Sequence, residues 1–218
     1  MKNIRILCYG DSNTWGYVSG SSILRYGNDE RWTKILSSLL GEEYEVIEEG
    51  LNSRTIISDD TRIGKEGRNG YSYLIPCLDS HDPIDLVILF LGTNELKNVY
   101  NNTAREIGDM FENYLVKTVI NRKSVIDKSS PKLLIIPPAV IDESTDYCRA
   151  NDKYLGGTEK SKELNDIYEE IAKKYNCSFL SSLGLETGVD GVHLTKESHR
   201  KLAELLKERI DYIFNSSK

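Results

Sequence analysis

Short apolar runs alternate along the chain with longer segments in which apolar residues recur every three or four positions. The short runs are typical of buried strands, and the longer spacing is typical of helices with one buried face. The most apolar run, Asp85–Leu91, indicates a central strand covered on both faces. Strands and helices that alternate in this way favour a parallel sheet with helices on both sides. We therefore expect an α/β fold that forms a single domain over residues 1–218.

The pattern predicts two groups of elements around that sheet. The predicted strands are Ile4–Tyr9, Glu45–Glu48, Asp85–Leu91, Lys132–Ile136 and Ser178–Leu180. The predicted helices are Arg31–Leu40, one that begins at a capping box at Thr103, Glu159–Tyr175 and Lys196–Phe214. Connections 51–83 and 137–158 are longer than the roughly 15 residues usual in a compact domain. Each follows a strand and leaves from the carboxyl edge of the sheet, so we expect both to form pocket walls or subunit contacts.

Composition narrows the class of protein. Hydrophobic residues make up 39% of the chain and charged residues 28%, as in soluble globular proteins. The net charge of −6, without a cluster of Lys and Arg, argues against a nucleic-acid partner. No apolar segment approaches the roughly 20 residues that cross a bilayer, so we expect no membrane partner. Arg5 lies where a signal peptide would have its apolar stretch, so we expect the protein to be cytoplasmic. The 4 cysteines form no CxxC pair and have no nearby histidine at ligand spacing, so we expect no disulfide or zinc framework. We also expect no metal and no cofactor.

Ser12 follows the first predicted strand directly, in the sequence Gly10-Asp11-Ser12. A serine at the end of a core strand is exposed to the substrate crevice of an α/β fold. It needs a base to become a nucleophile, and histidine is the usual one. His193 lies between the last predicted strand and the last predicted helix, and we expect it at the same edge of the sheet as Ser12. Asp190, three residues earlier, is placed to accept its Nδ1 proton.

The other two histidines are weaker candidates for this role. His199 shares a helical stripe with Leu202 and Leu206, so we expect it to pack beside its helix. His81 precedes the central strand and is predicted to lie at the opposite edge.

Two further turns supply candidate donors for an oxyanion hole. Asn94 follows the central strand in Gly92-Thr93-Asn94, and its amide is placed to face the carboxyl edge. Gly50 follows the second strand, and its N–H is a second candidate because glycine leaves room for a substrate. Taken alone, each turn also fits a plain strand-terminating turn. Their predicted meeting with Ser12 and His193 at one edge favours acyl transfer.

These residues resemble the sequence blocks of the SGNH hydrolases, also called GDSL esterases. Gly10-Asp11-Ser12, Gly50, Gly92-Thr93-Asn94 and Asp190-Gly191-Val192-His193 occur in the family's order and span nearly the whole chain. The resemblance implies a three-layer α/β/α sandwich with a parallel, flavodoxin-like sheet of five strands. It also implies Ser12 as nucleophile, His193 as general base and then acid, and Asp190 as the residue that orients the histidine. The oxyanion hole would comprise the N–H groups of Ser12 and Gly50 and the amide of Asn94.

The strings Gly-Asp-Ser-Asn-Thr-Trp-Gly and Glu-Glu-Gly-Leu-Asn-Ser-Arg-Thr are most similar to the arylesterase/acyltransferase branch. That branch implies a serine esterase for short-chain or aryl esters, acyl transfer to alcohols and a homo-oligomer. A carbohydrate O-acetyl esterase and a non-catalytic flavodoxin-like binding module are the alternatives. Glu95 replaces the aspartate usual in the family, which leaves open how its loop is supported.

Four residues near these motifs have two interpretations each. Trp15 and Tyr17 are candidates for the wall of an acyl or aryl pocket, and core packing is the alternative. Arg54 is a candidate contact for an anionic group of the substrate, with a surface salt bridge as the favoured alternative. Asp11 is predicted to be a structural hydrogen-bonding residue rather than a second acid.

Overall fold

A sheet of five parallel strands forms the centre of the molecule, and the computed structural model describes residues 3–215 of it. The strand order is β2-β1-β3-β4-β5, which is the flavodoxin-like order of doubly wound folds. The expected α/β fold with five parallel strands is therefore confirmed. The strands are β1 Ile4–Gly10, β2 Tyr44–Gly50, β3 Leu86–Phe90, β4 Lys132–Ile136 and β5 Ser178–Phe179.

Helices cover both faces of the sheet because successive side chains of each buried strand point to opposite sides. In β3, Val87 and Leu89 pack against one set of helices, while Leu86 and Ile88 pack against the other. Helices α2 and α8 cover one face, and α3, α4, α5 and α7 cover the other. The helices are α1 Ser12–Trp15, α2 Trp32–Leu40, α3 Gly70–Ser80, α4 Ala104–Met110, α5 Lys117–Ile120, α6 Asp146–Arg149, α7 Gly157–Lys174 and α8 Lys196–Asn215.

The two long connections contain helices that the periodicity does not predict. Helix α3 lies within connection 51–83 and begins where Asn69 Oδ1 accepts the N–H of Ser72. Its Pro76 and its scattered apolar positions hide it from a search for one regular apolar face. Connection 137–158 contains α6, whose first turn is capped by the Thr145 hydroxyl.

The helix predicted from Thr103 is present, and both bonds of its capping box form. Its middle, Phe111–Val116, is π-helical and joins α4 to α5.

Within residues 3–215, no helix combines the length and the apolar character needed to cross a bilayer. Cys8, Cys77, Cys148 and Cys177 are all free thiols.

The register of three strands brings the predicted site residues to one edge. Gly10 of β1 pairs with Gly50 of β2 on one side and with Phe90 of β3 on the other. The three strands therefore end at the same level, and the residues that follow them emerge side by side. Ser12, Gly50 and Asn94 consequently share the carboxyl edge of the sheet.

Candidate active site

Ser12, His193 and Asp190 form a continuous chain of hydrogen bonds at this edge. The Ser12 Oγ lies 3.0 Å from His193 Nε2, and His193 Nδ1 lies 2.7 Å from Asp190 Oδ2. All three side chains are buried. Because Nδ1 donates its proton to the carboxylate, Nε2 is left unprotonated and accepts from the serine hydroxyl. The arrangement is that of a nucleophile, a base and a group that orients the base.

The surroundings of Asp190 keep its carboxylate ionised. Burial by itself raises its pKa, but hydrogen bonds from the His193 ring and from the N–H groups of Val192 and His193 outweigh that effect. The net result is a pKa well below the usual range of an aspartate. Gly20 N–H also donates to Oδ2 at 3.1 Å. The site therefore holds a fixed negative charge behind the histidine.

Asn13 joins the serine and histidine segments by hydrogen bonds, a role that no motif in the sequence indicates. Its Oδ1 accepts the N–H of Leu194 at 2.9 Å, and its Nδ2 donates to the carbonyl of Val192 at 3.2 Å. The two bonds bracket His193, while Asn13 itself directly follows Ser12. One side chain thus fixes the distance between nucleophile and base, although they are 181 residues apart.

Short helix α1 presents Ser12, and Asp11 caps it. The Asp11 Oδ1 accepts the N–H of Asn13 at 2.9 Å, and among the described residues no hydrogen bond joins this carboxyl to the histidine ring. Burial raises the pKa of Asp11. This position at the helix start agrees with the structural role expected from the sequence.

Asn94 and Arg54 connect the ends of three strands. Asn94 Nδ2 donates to the carbonyl of Arg54 at 2.9 Å, and Arg54 Nη1 donates to the carbonyls of Gly10 and Glu49. The Arg54 guanidinium lies 4.1 Å from the centre of the Tyr9 ring, and the residue is only 2% exposed. Arg54 therefore joins β1 to β2 inside the protein. Its salt bridge, Nη2 to Glu49 Oε2 at 4.0 Å, is not at the surface, and its guanidinium is not open to a substrate.

Gly50 is required by packing against α1. A Cβ atom at this position would lie 2.2 Å from the backbone nitrogen of Trp15, well inside a van der Waals contact. The reason for glycine here is thus the close approach of β2 and α1, which differs from the substrate clearance expected from the sequence. The same closeness places the backbone of Gly50 beside the helix that carries Ser12.

Gly92 makes the sharp exit from β3 that positions Asn94. Its φ of +133° is unfavourable for any residue with a side chain, and a Cβ would lie 2.8 Å from both Pro138 Cγ and Tyr168 Oη. The chain then enters a short 3₁₀ helix, Thr93–Leu96, that carries Asn94.

Comparison with known proteins agrees with this geometry. Residues 8–201 match the model of the GDSL-like lipase/acylhydrolase family. The chain belongs to this family. An aryl esterase from Mycobacterium smegmatis is 34% identical, with a TM-score of 0.88 over 97% of this chain and 100% of that one. Est24, a carbohydrate acetylesterase from Sinorhizobium meliloti, is 34% identical, with a TM-score of 0.90 over 97% of this chain and 100% of that one. No curated protein sequence matches.

The protein is therefore a carboxylic ester hydrolase with the SGNH fold, as the sequence predicted. Its Glu95, the residue that departs from the family pattern, is fully buried. One carboxylate oxygen accepts the backbone N–H groups of Ile56, Ile57 and Ser58, at 2.7, 3.1 and 3.3 Å. The other accepts the Ser58 hydroxyl at 2.7 Å. The longer side chain thus anchors connection 51–83 beside Asn94, which answers how this loop is supported.

Tyr17 lies against the histidine of this GDSL hydrolase. Its ring stacks on the His193 imidazole with 4.3 Å between centroids, and its hydroxyl donates to the carbonyl of Ser21. Tyr17 also lines a cavity of about 250 Å³ beside His193, together with Tyr147 and Val189. Trp15 instead holds the Arg25 guanidinium over its ring at 5.1 Å and is absent from the described cavity walls.

The remaining histidines have structural surroundings. His199 is fully buried beside Trp32, whose N–H donates to its Nδ1, as expected for a packing residue. His81 Nε2 lies 2.9 Å from Glu49 Oε1. Together with Cys77 these two offer three potential metal-ligand atoms within 4.8 Å of one another. The Arg54 guanidinium, 4.0 Å from Glu49, already supplies positive charge there, and burial raises the pKa of Cys77 to about 12. Both features disfavour the binding of a metal ion by these three side chains.

Proposed function

We propose that the protein is a serine esterase for short-chain and aryl carboxylic esters and that it works through an acyl-enzyme. The observation that carries this proposal is the unbroken bonding from Ser12 through His193 to Asp190, at 3.0 and 2.7 Å. The cavity of about 250 Å³ beside His193 fits a small acyl or aryl group. The similar aryl esterase from M. smegmatis supports the same substrate class.

In the proposed first half-reaction, Ser12 Oγ attacks the ester carbonyl carbon and passes its proton to His193 Nε2. The negative charge that forms on the carbonyl oxygen is held by the N–H groups of Ser12 and Gly50 and by the Asn94 amide. His193 then protonates the leaving alcohol as the carbon–oxygen bond breaks. The acyl group stays on Ser12.

In the second half-reaction, a water molecule attacks the acyl-enzyme and gives its proton to His193. The tetrahedral intermediate collapses, Ser12 takes the proton back, and the carboxylic acid leaves. Asp190 stabilises the imidazolium in both halves because its own pKa lies far below the working range. Its carboxylate is therefore ionised whenever the histidine is charged.

Replacement of the serine tests the proposal. Ser12→Ala removes the nucleophile but keeps its backbone N–H, so we expect hydrolysis of p-nitrophenyl acetate to fall by roughly 10⁴-fold or more. The exposed Ser72→Ala serves as the matched control, and circular dichroism checks that both variants fold. Unchanged turnover in Ser12→Ala would refute the proposal.

A carbohydrate O-acetyl esterase is the second candidate function, favoured by the similarity to Est24. Turnover of acetylated sugars and of aryl acetates by the wild type, side by side, separates the two. A non-catalytic binding module is the third, and it predicts that a fluorophosphonate probe leaves Ser12 unlabelled. The buried and bonded state of Ser12 and His193 supports an enzyme.

Acyl transfer to alcohols, a homo-oligomeric assembly, the absence of a membrane partner and a cytoplasmic location stay predictions. They rest on the family resemblance and on the sequence pattern rather than on the geometry of the site.

A further inference from the structure

A second cavity lies next to the one that borders His193. It has a volume of about 510 Å³, and Tyr147 belongs to the walls of both cavities. Its other walls come from residues 59–62, 97–100 and 150–153, which are parts of the two long connections and of the turn after Asn94. The two cavities are therefore neighbours, with Tyr147 between them.

Lys97 is the unusual residue of this cavity. It is only 8% exposed, and its ammonium group has neither a hydrogen bond nor an ion pair with the described residues. Burial, followed by the nearby charges of Arg62 and Lys153, lowers its pKa to about 8. Lysines this buried are normally paired within the protein, whereas this ammonium group can be paired only by something that enters the cavity.

The neighbouring charges leave this ammonium group without a counter-charge of its own. Asp60 is already paired with Arg62, whose Nε lies 2.8 Å from its Oδ1. Lys153 lies 3.7 Å from the centre of the Tyr147 ring and, among the described residues, has no carboxylate partner. Asp59 is exposed and accepts a hydrogen bond from Asn69. The charge of the buried Asp11 also acts on Lys97, but no ion pair joins Asp11 to this ammonium group. Three cations, Arg62, Lys97 and Lys153, thus line this cavity, and only Arg62 has a carboxylate bound to it.

We propose that this cavity binds a carboxylate group of the substrate, so that the preferred esters carry a negative charge beyond the reacting bond. The inference rests on the proposed esterase function of Ser12. Lys97 lies close to the proposed reaction site. Its backbone N–H donates to the Asn94 carbonyl at 3.3 Å, so the residue is one 3₁₀ turn from the proposed oxyanion donor. Lys97 and Lys153 then bind the carboxylate, and Tyr147 packs against the part of the ligand that joins the two cavities.

A neutral ligand fits this site less well. It would displace water from Lys97 and leave the buried ammonium group unpaired, which is costly. A carboxylate satisfies the charge and forms charge-assisted hydrogen bonds, which are roughly twice as strong as neutral ones. Arg54, the cation that the sequence suggested for an anionic group, is occupied by backbone carbonyls and stacked on Tyr9.

Matched pairs of esters test the proposal. Phenyl acetate is compared with 4-acetoxybenzoate, which adds the charge on the alcohol side, and phenyl butyrate with monophenyl succinate, which adds it on the acyl side. The readout is the ratio of kcat/KM for the charged ester to kcat/KM for its neutral partner. This ratio cancels general effects of a variant on the chemistry.

We expect Lys97→Met to lower this ratio about tenfold for at least one pair. Lys153→Met should lower it in the same pair by a smaller factor, and it serves as a second variant if Lys97→Met is poorly folded. Lys173→Met removes the same charge from an exposed helical position and should leave the ratio as in the wild type.

The outcomes separate this proposal from the one on which it rests. If the wild type hydrolyses the neutral esters but both cavity variants keep the wild-type ratio for both pairs, the carboxylate site is wrong and the esterase function stands. If the wild type hydrolyses none of the four esters, the proposed function itself fails.

Discussion

The side-chain amide of Asn94 has two N–H hydrogens, one in a structural hydrogen bond and the other available for the proposed chemistry. One of its two Nδ2 hydrogens goes to the carbonyl of Arg54, at 2.9 Å. That bond fixes the rotation of the side chain, so the other hydrogen points in a constant direction. A donor fixed before the substrate arrives stabilises an oxyanion without any cost of reorganisation.

Asn94→Ala is expected to lower kcat for p-nitrophenyl acetate by about 100- to 1000-fold, because one oxyanion donor is lost. KM should change much less, since the donor acts mainly in the transition state. Steady-state kinetics measure both constants, with the exposed Asn113→Ala as the control. A change in KM alone would contradict an oxyanion role for Asn94.

Only some residues of the candidate site can be predicted from the sequence. Ser12, Asn94 and His193 are recognisable because each follows a strand or precedes the last helix, in a residue type that acyl transfer needs. Asn13 and Arg54 carry no such signal. Their partners are backbone carbonyls and N–H groups, and a sequence does not show which backbone groups a side chain will meet in the folded chain.

At the scale of elements, Glu95 joins two segments that are distant in sequence. Its carboxylate binds residues 56–58, so the turn after β3 and the connection after β2 form one unit. The same connection carries Asp60 and Arg62 of the larger cavity. Glu95 therefore links one wall of that cavity to the turn that carries Asn94.

Removal of this carboxylate should destabilise the protein. Glu95→Ala leaves buried N–H groups without an acceptor, and we expect the free energy of unfolding to fall by about 3 kcal/mol. Glu95→Gln keeps an acceptor but loses the charge, so about 1 kcal/mol is expected. Urea denaturation measures both, with the exposed Glu163→Ala as control. Equal stabilities of Glu95→Ala and the control would rule out this anchoring role.

The strands and the long amphipathic helices are predictable because one regular period shows which face is buried. Helix α3 is not, since Pro76 and the mixture of tyrosines and serines obscure that period. The 3₁₀ turn that carries Asn94 depends on packing by Tyr168 and Pro138 around Gly92. Such long-range contacts leave no local pattern in the sequence.

At the scale of the whole molecule, the packing of α8 against α2 contains a buried histidine. His199 Nδ1 accepts the backbone N–H of Trp32, so the proton of the neutral imidazole is on Nε2. Nε2 has no hydrogen-bond partner among the described residues. Burial, reinforced by the charge of His193 and opposed by Glu30, lowers its pKa to about 3. A second proton would have to sit at Nδ1, facing the Trp32 N–H.

This histidine should make the fold sensitive to acid. Between pH of about 6.5 and about 3 the unfolded chain binds a proton at His199 that the folded chain does not, so stability falls as the pH is lowered. From pH 7 to pH 5 the loss from this group is about 2 kcal/mol. His199→Asn keeps an acceptor for Trp32 but does not titrate.

Urea unfolding of the wild type and of His199→Asn at both pH values measures this loss. The variant should lose about 2 kcal/mol less than the wild type on acidification, whatever its stability at pH 7. Parallel pH dependence of the two proteins would show that His199 does not cause the acid sensitivity.

The buried tie at Arg54 has a consequence for how this enzyme can diversify. A single guanidinium holds the carbonyls of Gly10 and Glu49, and its own carbonyl holds Asn94. The proposed oxyanion donors therefore share one support, and a mutation that shifts one shifts the others. Residues 59–62 and Tyr147, by contrast, belong to the cavity walls and lie outside this group of hydrogen bonds. Substitutions in these walls are therefore expected to change the preferred ester while the donors at the strand ends keep their positions.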